Sequence, residues 1–174
     1  MAENNDKRLF LLDAFALIYR AFFAFAGNRT DKDGNPSGGY TMVNSKGLNT
    51  SAVFGFTNTL LELLEKEKPT HIAVVFDVSG PTHREVEYTE YKANREAMPE
   101  DLRRSIPYIK KLIEGFKIPV LGVEGYEADD VIGTLAKKAE KHGYTTYMER
   151  PIRTSVNWFL RISSCTNPPE WATE

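Results

Sequence analysis

Cysteine and histidine are scarce in this 174-residue chain, which has a single cysteine, Cys165, and three scattered histidines. One cysteine excludes an internal disulfide framework and any zinc site built from several cysteines. The histidines lack the spacing typical of metal ligands. No run of residues is apolar enough to span a bilayer, and the polar residues 1–8 do not form a signal peptide. These absences favour a cytoplasmic protein.

A strong excess of positive charge is also missing. The chain carries 22 Lys and Arg against 24 Asp and Glu, so its net charge is -2. This balance argues against a wholly basic nucleic-acid-binding protein, although it leaves room for a local basic patch. With 41% apolar and 26% charged residues, the composition is that of one soluble globular domain with a sizeable core.

An acidic cluster is the most informative stretch that is present. Glu127, Asp129 and Asp130 come directly before an apolar helical pattern. Acids are favoured in the first turn of a helix because the helix dipole is positive there, and this explains one or two of them. A third acid crowds like charges, and a bound divalent cation relieves that repulsion. The cluster therefore predicts a metal site, with helix capping as the alternative.

Two predicted buried strands each end on an aspartate. Residues 9–12 form a short apolar run before Asp13, and residues 72–76 form another before Asp77. An acid at the carboxyl end of a parallel strand points into the crevice where α/β proteins bind their ligands. Asp13 is equally suited to be the N-cap of the helix predicted after it. The repeated pattern is a second indication of a functional acidic site.

Apolar periodicity predicts the other elements. Four helices are expected, over residues 14–25, 51–66, 99–115 and 127–142. Two further strands are expected, over residues 118–121 and 144–148, with Pro119 placing the former near a sheet edge. Strands and helices alternate, which predicts a mainly parallel sheet with helices on both faces. Residues 27–50 lack periodicity and are predicted to be a loop.

The second predicted helix has the clearest apolar side. Ser51 is expected to cap it, and five apolar side chains are expected to face the core: Val53, Phe56, Leu60, Leu61 and Leu64.

Residues 78–99 form a long polar segment that combines basic and aromatic side chains. Such a mixture suits a nucleic-acid strand, because the charges meet phosphates and the rings offer stacking faces. Glutamates dilute the positive charge, so a solvated helical loop is the alternative. The length favours a functional segment, because structureless loops this long are uncommon inside compact domains.

Ordered blocks along residues 7–148 follow the pattern of a known family. The blocks are residues 12–20, 44–56, 76–77, 91–95 and 125–130. In them the chain resembles the 5′-nuclease domain at the amino end of bacterial DNA polymerase I, which is related to the flap endonucleases. The resemblance implies a PIN-like, three-layer α/β fold with a mainly parallel central sheet, incomplete at the C-terminus. It also implies metal-dependent hydrolysis of DNA phosphodiesters near a 5′ end or flap, in replication and repair.

The resemblance implies roles for individual residues. Five acids match the family's metal and catalytic site: Asp13, Asp77, Glu127, Asp129 and Asp130. Four basic residues match those that hold the substrate strand: Arg20, Arg84, Lys92 and Arg95. On the residues alone, Arg20 has the alternative of a solvated helix face. Two Mg²⁺ or Mn²⁺ ions are the expected cofactors, since hard cations prefer oxygen ligands. DNA with a 5′ end or flap is the expected partner of a monomeric chain.

Residues 149–174 depart from the family pattern. An Asp-Lys-Asp motif that supplies further metal acids is expected after Met148, and it is missing. Codons chosen for residues 151–159 yield Asp-Lys-Asp in another reading frame, even though Trp158 has only one codon. We therefore interpret residues 1–148 as the N-terminal part of the nuclease domain. The tail is interpreted as out-of-frame translation without regular structure, and residues 31–43 as an insertion without an assigned role.

Three other functions compete with an active nuclease. The first is an inactive remnant of the same enzyme that binds DNA weakly. The second is a PIN-type ribonuclease, which is disfavoured because such domains generally lack a segment like residues 78–99. The third is a phosphate- or nucleotide-binding module, which is weaker still because no glycine-rich phosphate loop follows Asp13.

Overall fold

A computed structural model describes residues 7–26, 29–30, 36–37, 42–78, 80, 82–83, 97–149 and 159–162. The helices are α1 (Ala14–Ala26), α2 (Ser51–Lys66), α3 (Glu100–Gly115) and α4 (Ala128–Lys141). The strands are β1 (Arg8–Asp13), β2 (Arg29–Thr30), β3 (Pro36–Ser37), β4 (His71–Val75), β5 (Val120–Leu121), β6 (Thr145–Glu149) and β7 (Phe159–Ile162). None of the described helices is both long and apolar enough to cross a membrane.

The main sheet has five strands in the order β5-β4-β1-β6-β7. β1 lies between β4 and β6 and pairs parallel with both, and β4 pairs parallel with β5. Only β7 runs antiparallel, against β6. The prediction of a mainly parallel sheet with residues 118–121 near its edge is confirmed, since β5 is an edge strand.

The central strand β1 is buried on both of its faces. Phe10 and Leu12 pack into the core formed with α1, α2 and α3. Leu11 points the other way and packs with Ala128 and Ile132 of the α4 side. Successive side chains of a strand point to opposite faces, so a strand covered on both faces needs a continuous apolar run. The three layers of the fold follow from this arrangement.

Helix α2 corrects two details of the sequence prediction. Leu61 is 39% exposed, whereas Leu63 is buried together with Phe56 and Leu60. The apolar pattern allowed either leucine, and the packing of α2 against α1 and α3 selects the side that carries Leu63. Ser51 is the first helical residue rather than the cap, and its Oγ accepts a hydrogen bond from the Met42 N–H at 3.0 Å.

Two short strand regions contradict predictions of irregular chain. β2 and β3 pair antiparallel within the predicted loop of residues 27–50. β7 lies in the tail, where no strand was expected, so that prediction is wrong for Phe159–Ile162. These strands have two to four residues, which is too short to show a two-residue period against an irregular background.

Candidate acidic site at the carboxyl edge of the sheet

Asp13 ends the central strand and begins the helix that follows. Its Oδ1 accepts a hydrogen bond from the Ala16 N–H at 3.0 Å. This is the bond of an N-cap, made to the third residue of α1. The capping interpretation of Asp13 is therefore confirmed. The same carboxylate lies at the carboxyl end of β1, and its role in a ligand site stays a prediction.

Asp77 lies at the same edge of the sheet, two residues after β4 ends. Its Oδ1 accepts a hydrogen bond from the Ala128 N–H at 2.6 Å. The first N–H groups of a helix have no partner within the helix, so this bond satisfies one of them for α4. Asp77 thus joins the end of β4 to the start of α4 across 51 residues of sequence.

Two acids of the cluster at the start of α4 form a capping box. Glu127 is the N-cap, and its side chain accepts a hydrogen bond from the backbone of Asp130. In return, Oδ2 of Asp130 accepts one from the Glu127 N–H at 3.3 Å. Glu127 is only 7% exposed. Glu127 and Asp130 therefore cap the helix, as the alternative interpretation predicted. Asp129 is exposed and is not part of the capping box.

The charges of three acids from three elements interact at this edge. Burial raises the pKa of Asp13, and the N–H of Ala16 opposes that shift. The negative charges of Asp129 and Asp77 raise the pKa of Asp13 further. Asp77 after β4 and Asp129 of α4 thus each act electrostatically on Asp13 of β1. A cation bound between them would relieve both the burial and the repulsion.

The loop before α4 packs tightly against the end of β4. The Phe76 N–H donates to the Leu121 carbonyl at 2.8 Å. A Cβ added to Gly122 would lie 2.9 Å from the carbonyl oxygen of Phe76 and 2.8 Å from Cγ2 of Val78. Only glycine fits this close approach without displacement. The position of the acidic helix is therefore fixed by backbone contact with β4.

The same loop anchors the beginning of the polar segment 78–99. The His83 N–H donates to the Gly125 carbonyl at 2.9 Å, and the His83 ring packs edge-on against Tyr126 at a centroid distance of 4.9 Å. Gly125 has a φ of +80°, a conformation that other residues rarely adopt. Sequence reasoning missed this anchor. Its only signal was a glycine two residues before Glu127.

The four predicted strand-binding residues have different outcomes. Arg20 lies on α1, about two helical turns after Asp13. It is half-buried and its Nη2 atom is shielded from solvent, so the alternative of a solvated helix face is wrong. Arg84, Lys92 and Arg95 lie outside the described residues, and their roles stay predictions.

The donor atoms at this edge fit a hard divalent cation, because all of them are carboxylate oxygens. Among the residues that the structure describes, no three acidic, histidine or cysteine side chains form a group that could hold an ion by themselves. Mg²⁺ is commonly bound by one or two carboxylates together with waters and substrate phosphates. Asp13 and Asp77 are suited to such a partly hydrated ion.

The three layers, the parallel sheet and the acids at its carboxyl edge define a PIN-like α/β domain. Residues 8–149 match the family described as the 5′-3′ exonuclease, N-terminal resolvase-like domain. The chain belongs to this family.

Curated relatives are bacterial DNA polymerases I. The protein of Bacillus subtilis is 42% identical over 141 residues, which is 81% of this chain and 14% of that protein. The protein of Caldicellulosiruptor bescii is 40% identical over 136 residues, 78% of this chain and 14% of that protein. The chain thus spans about one seventh of the length of these relatives.

Solved structures of bacteriophage T5 proteins share the fold. A T5 protein co-crystallised with metal ions superimposes with a TM-score of 0.54 at 18% identity, covering 84% of this chain and 48% of that one. The T5 flap endonuclease in complex with DNA and metal ions gives a TM-score of 0.53 at 23% identity, covering 84% and 49%. These similarities confirm the predicted PIN-like fold.

Proposed function

We propose that this chain is the amino-terminal nuclease part of a DNA polymerase I, acting as a metal-dependent 5′-3′ exonuclease and flap endonuclease. The observation that carries the proposal is the placement of Asp13 at the end of β1 and of Asp77 just after β4, both at the carboxyl edge of the parallel sheet, with Asp77 bonded to the start of the acidic helix α4. Family membership and the DNA-bound flap endonuclease of similar fold support it.

In this proposal the acids hold Mg²⁺ or Mn²⁺, with two ions as the expected number. When bound, such ions activate a water and stabilise the leaving oxygen of a phosphodiester. Asp13 accepts a hydrogen bond from the Ala16 N–H at 3.0 Å, and Asp77 accepts one from the Ala128 N–H at 2.6 Å. An ionised carboxylate has about four acceptor positions, so each retains capacity for a ligand. Glu127, Asp129 and Asp130 are the further proposed ligands, and Glu127 and Asp130 also fix the start of α4 through the capping box.

The proposed substrate contacts are cationic. Arg20, Arg84, Lys92 and Arg95 would hold the phosphates of the strand, because arginine and lysine are the usual phosphate donors. For Arg84, Lys92 and Arg95, which lie outside the described residues, the proposal rests on the family resemblance alone. The proposed substrate is DNA with a 5′ end or a 5′ flap. We also propose that the chain is monomeric, is cytoplasmic and acts in replication and repair.

A labelled 5′-flap duplex with Mg²⁺ tests the proposal. We expect the chain to cleave near the flap junction, and Asp13→Asn to lower the rate by about 100-fold or more, because the ion's contribution is several kcal/mol. Asp101→Asn is the matched control, since Asp101 is an exposed acid in the first turn of α3. Equal cleavage by Asp13→Asn and the control, or RNA cut in preference to flap DNA, would contradict the proposal.

Metal binding has a second readout that does not depend on cleavage. A ligand at about 100 times its Kd stabilises a protein by about 2.7 kcal/mol. We therefore expect saturating Mg²⁺ to raise the melting temperature of the chain and of Asp101→Asn, but to have little effect on Asp13→Asn. A Mg²⁺ response that survives in Asp13→Asn would remove Asp13 from the proposed ligands.

A DNA-binding remnant without activity is the second candidate function. It is favoured by the absence of a three-acid group among the described residues and by the use of Glu127 and Asp130 in a capping box. Flap-duplex binding without cleavage at any Mg²⁺ or Mn²⁺ concentration would select this candidate over the active nuclease.

We also propose that residues 149–174 are translated out of frame. The family match supports this, since it ends at residue 149. The coding DNA decides the question, because codons that cannot yield Asp-Lys-Asp in another frame would exclude the proposal.

A further inference from the structure

A second polar site lies away from the acids, between the loop that precedes α2 and the side of α3. It is a cleft of about 420 Å³. Its lining residues are Asn44, Lys46, Leu48, Arg104, Pro107, Tyr108 and Lys111. We call it the basic cleft, because three cations and no acid line it in a chain whose net charge is -2. Such a local excess of positive charge favours an anionic ligand.

The loop side of the basic cleft is held in one conformation. Oδ1 of Asn44 accepts hydrogen bonds from the N–H groups of Lys46 and Leu48, at 2.9 and 3.0 Å. Gly47 has a φ of +74° and its N–H donates to the Asn44 carbonyl at 3.0 Å, which closes the turn. The backbone that carries Lys46 is therefore already ordered, so little backbone entropy is lost when its side chain binds a ligand.

The loop is also fixed to α3. The buried Ser105 hydroxyl donates to the carbonyl of Asn49, another buried residue, at 3.1 Å. Ser105 is next to Arg104 in the sequence, so this bond sets the distance between the Lys46 turn and the cations of α3. Both walls of the basic cleft are thus built from connected, well-packed chain.

The cations of the cleft are available to a ligand. The ion pairs formed within the described part of the chain join Lys66 to Glu62 and Arg103 to Glu100. Neither pair uses a cation of the basic cleft. Tyr108 is 51% exposed and adds an aromatic face beside the charges.

The part of the basic cleft that contains Lys46 and Arg104 lies at the same end of the sheet as the acids. α2 and α3 lead into the parallel strands β4 and β5, so both helices begin at the carboxyl edge. The Lys46 turn directly precedes α2, and Arg104 lies in the first turns of α3. A DNA molecule held at the acidic site could therefore extend across the α2–α3 side of the molecule.

We propose that the basic cleft binds the phosphate backbone of the duplex part of the DNA substrate. Arg104 and Lys111 are seven residues apart on one helix, which is about 10 Å along its axis. One strand of duplex DNA presents a phosphate about every 3.4 Å of helix axis. The spread of the cations therefore matches consecutive phosphates of a strand better than the single phosphate of a mononucleotide. Since these contacts reach no base, the binding is independent of sequence.

The inference rests on the proposed function for its substrate, DNA, and its test does not use cleavage. Binding of a fluorescent blunt duplex to the full chain is measured by anisotropy in EDTA at several KCl concentrations. The test variant combines Lys46→Ala, Arg104→Ala and Lys111→Ala. We expect its Kd to rise about 10- to 100-fold and the slope of log Kd against log salt to fall by about 0.9 for each lost contact.

The matched control removes the same charge elsewhere. It combines Lys137→Ala, Lys138→Ala and Lys141→Ala, three exposed positions of α4. We expect the slope of log Kd against log salt for this control variant to change by less than about 0.9, the change expected for one phosphate contact. Circular dichroism confirms folding, and the single variant Lys46→Glu, in an exposed turn, gives a second measurement with little risk of unfolding.

Several outcomes would overturn the inference. The first is an equal slope of log Kd against log salt for the cleft variant and the control variant. The second is a lack of duplex binding by the unaltered chain. The third is displacement of the duplex by deoxyadenosine monophosphate at concentrations near the Kd of the duplex. The last result would indicate a mononucleotide site instead. Absence of flap cleavage together with a reduced slope in the cleft variant would leave this inference intact and reject the nuclease proposal.

Discussion

Among the helices that begin at the carboxyl edge of the sheet, α1 and α4 are capped in different ways at their N-termini. α1 is capped by Asp13, which lies directly before it in the chain. α4 is capped by its own box of Glu127 and Asp130 and, in addition, by Asp77 from the end of β4. The first cap is a local feature of the sequence, whereas the second needs two distant segments to fold together.

The two caps show that Asp13 and Asp77 affect the stability of the fold in different ways. Asp13 is partly buried, and this burial, together with the like charges of Asp129 and Asp77, raises its pKa. Without a bound cation, the charged form of Asp13 therefore lowers the stability of the fold. Asp77 joins β4 to α4 through a 2.6 Å bond, so it contributes to the stability of the fold. Substitutions at the two aspartates should therefore have opposite effects on the stability of the metal-free chain.

The largest stability effect is expected for Asp77→Ala. The change leaves the partly buried Ala128 N–H without its partner, which should lower the free energy of unfolding by about 1–3 kcal/mol. Asp77→Asn is the matched control, because its Oδ1 can still accept the bond, and its loss should be smaller. Urea unfolding in EDTA measures both. Equal losses for the two variants would mean that the bond to Ala128 does not stabilise the start of α4.

A smaller effect of opposite sign is expected for Asp13→Asn. Asparagine remains a good N-cap, while the charge is removed. Because the pKa of Asp13 is raised on folding, its contribution to stability falls as pH rises from the ordinary aspartate range through the raised value. In EDTA at pH 7 we expect Asp13→Asn to have the higher melting temperature, by about 2–4 °C for each kcal/mol relieved.

The pH dependence of this stabilisation shows whether removal of the Asp13 charge is its cause. The difference between Asp13→Asn and the unaltered chain should disappear below the ordinary pKa of an aspartate, where Asp13 is protonated in both the folded and unfolded states. Thermal unfolding from pH 3 to pH 8 measures the difference. A stabilisation that is equal at all pH values would show that repulsion and burial of the Asp13 charge are not its cause.

The smallest effect is expected for Asp130→Ala. The bond from the Glu127 N–H to Oδ2 of Asp130 is long, at 3.3 Å, and the box is only one of two caps on α4. We expect a loss of about 0.3–1 kcal/mol, the usual contribution of an acid near a helix N-terminus. Hydrogen exchange of the first-turn amides of α4 locates the effect. A loss larger than that of Asp77→Ala would reverse the order of the two caps.

Local signals in the sequence predicted the framework of the fold. The apolar run before Asp13 identified β1 and the cap of α1, because a doubly covered strand and an N-cap each have a short-range pattern. The four helices, the parallel sheet and the edge position of β5 followed from periodicity and from Pro119. The resemblance located the acids, and the structure adds that Asp13, Asp77 and Asp129 interact.

The missed features are contacts between distant segments. Neither the bond of Asp77 to Ala128 nor the anchor of His83 on Gly125 has a periodic signature, because the partners are brought together only by packing. The burial of Leu63 rather than Leu61 on α2 has the same origin, since the helical pattern allowed both and the packing against α1 and α3 decides. Three neighbouring acids predicted a metal site, while the backbone needs of α4 account for two of them.

The tight approach at Gly122 gives a criterion for comparing this chain with its relatives. A methyl group at this position would come within 3 Å of both Phe76 and Val78, so a larger residue forces the loop before α4 away from the strand. A relative with glycine here can share the geometry that sets the acidic helix against β4. In a relative with a bulky side chain here, we expect the distance between the residues that correspond to Asp77 and Ala128 to be different.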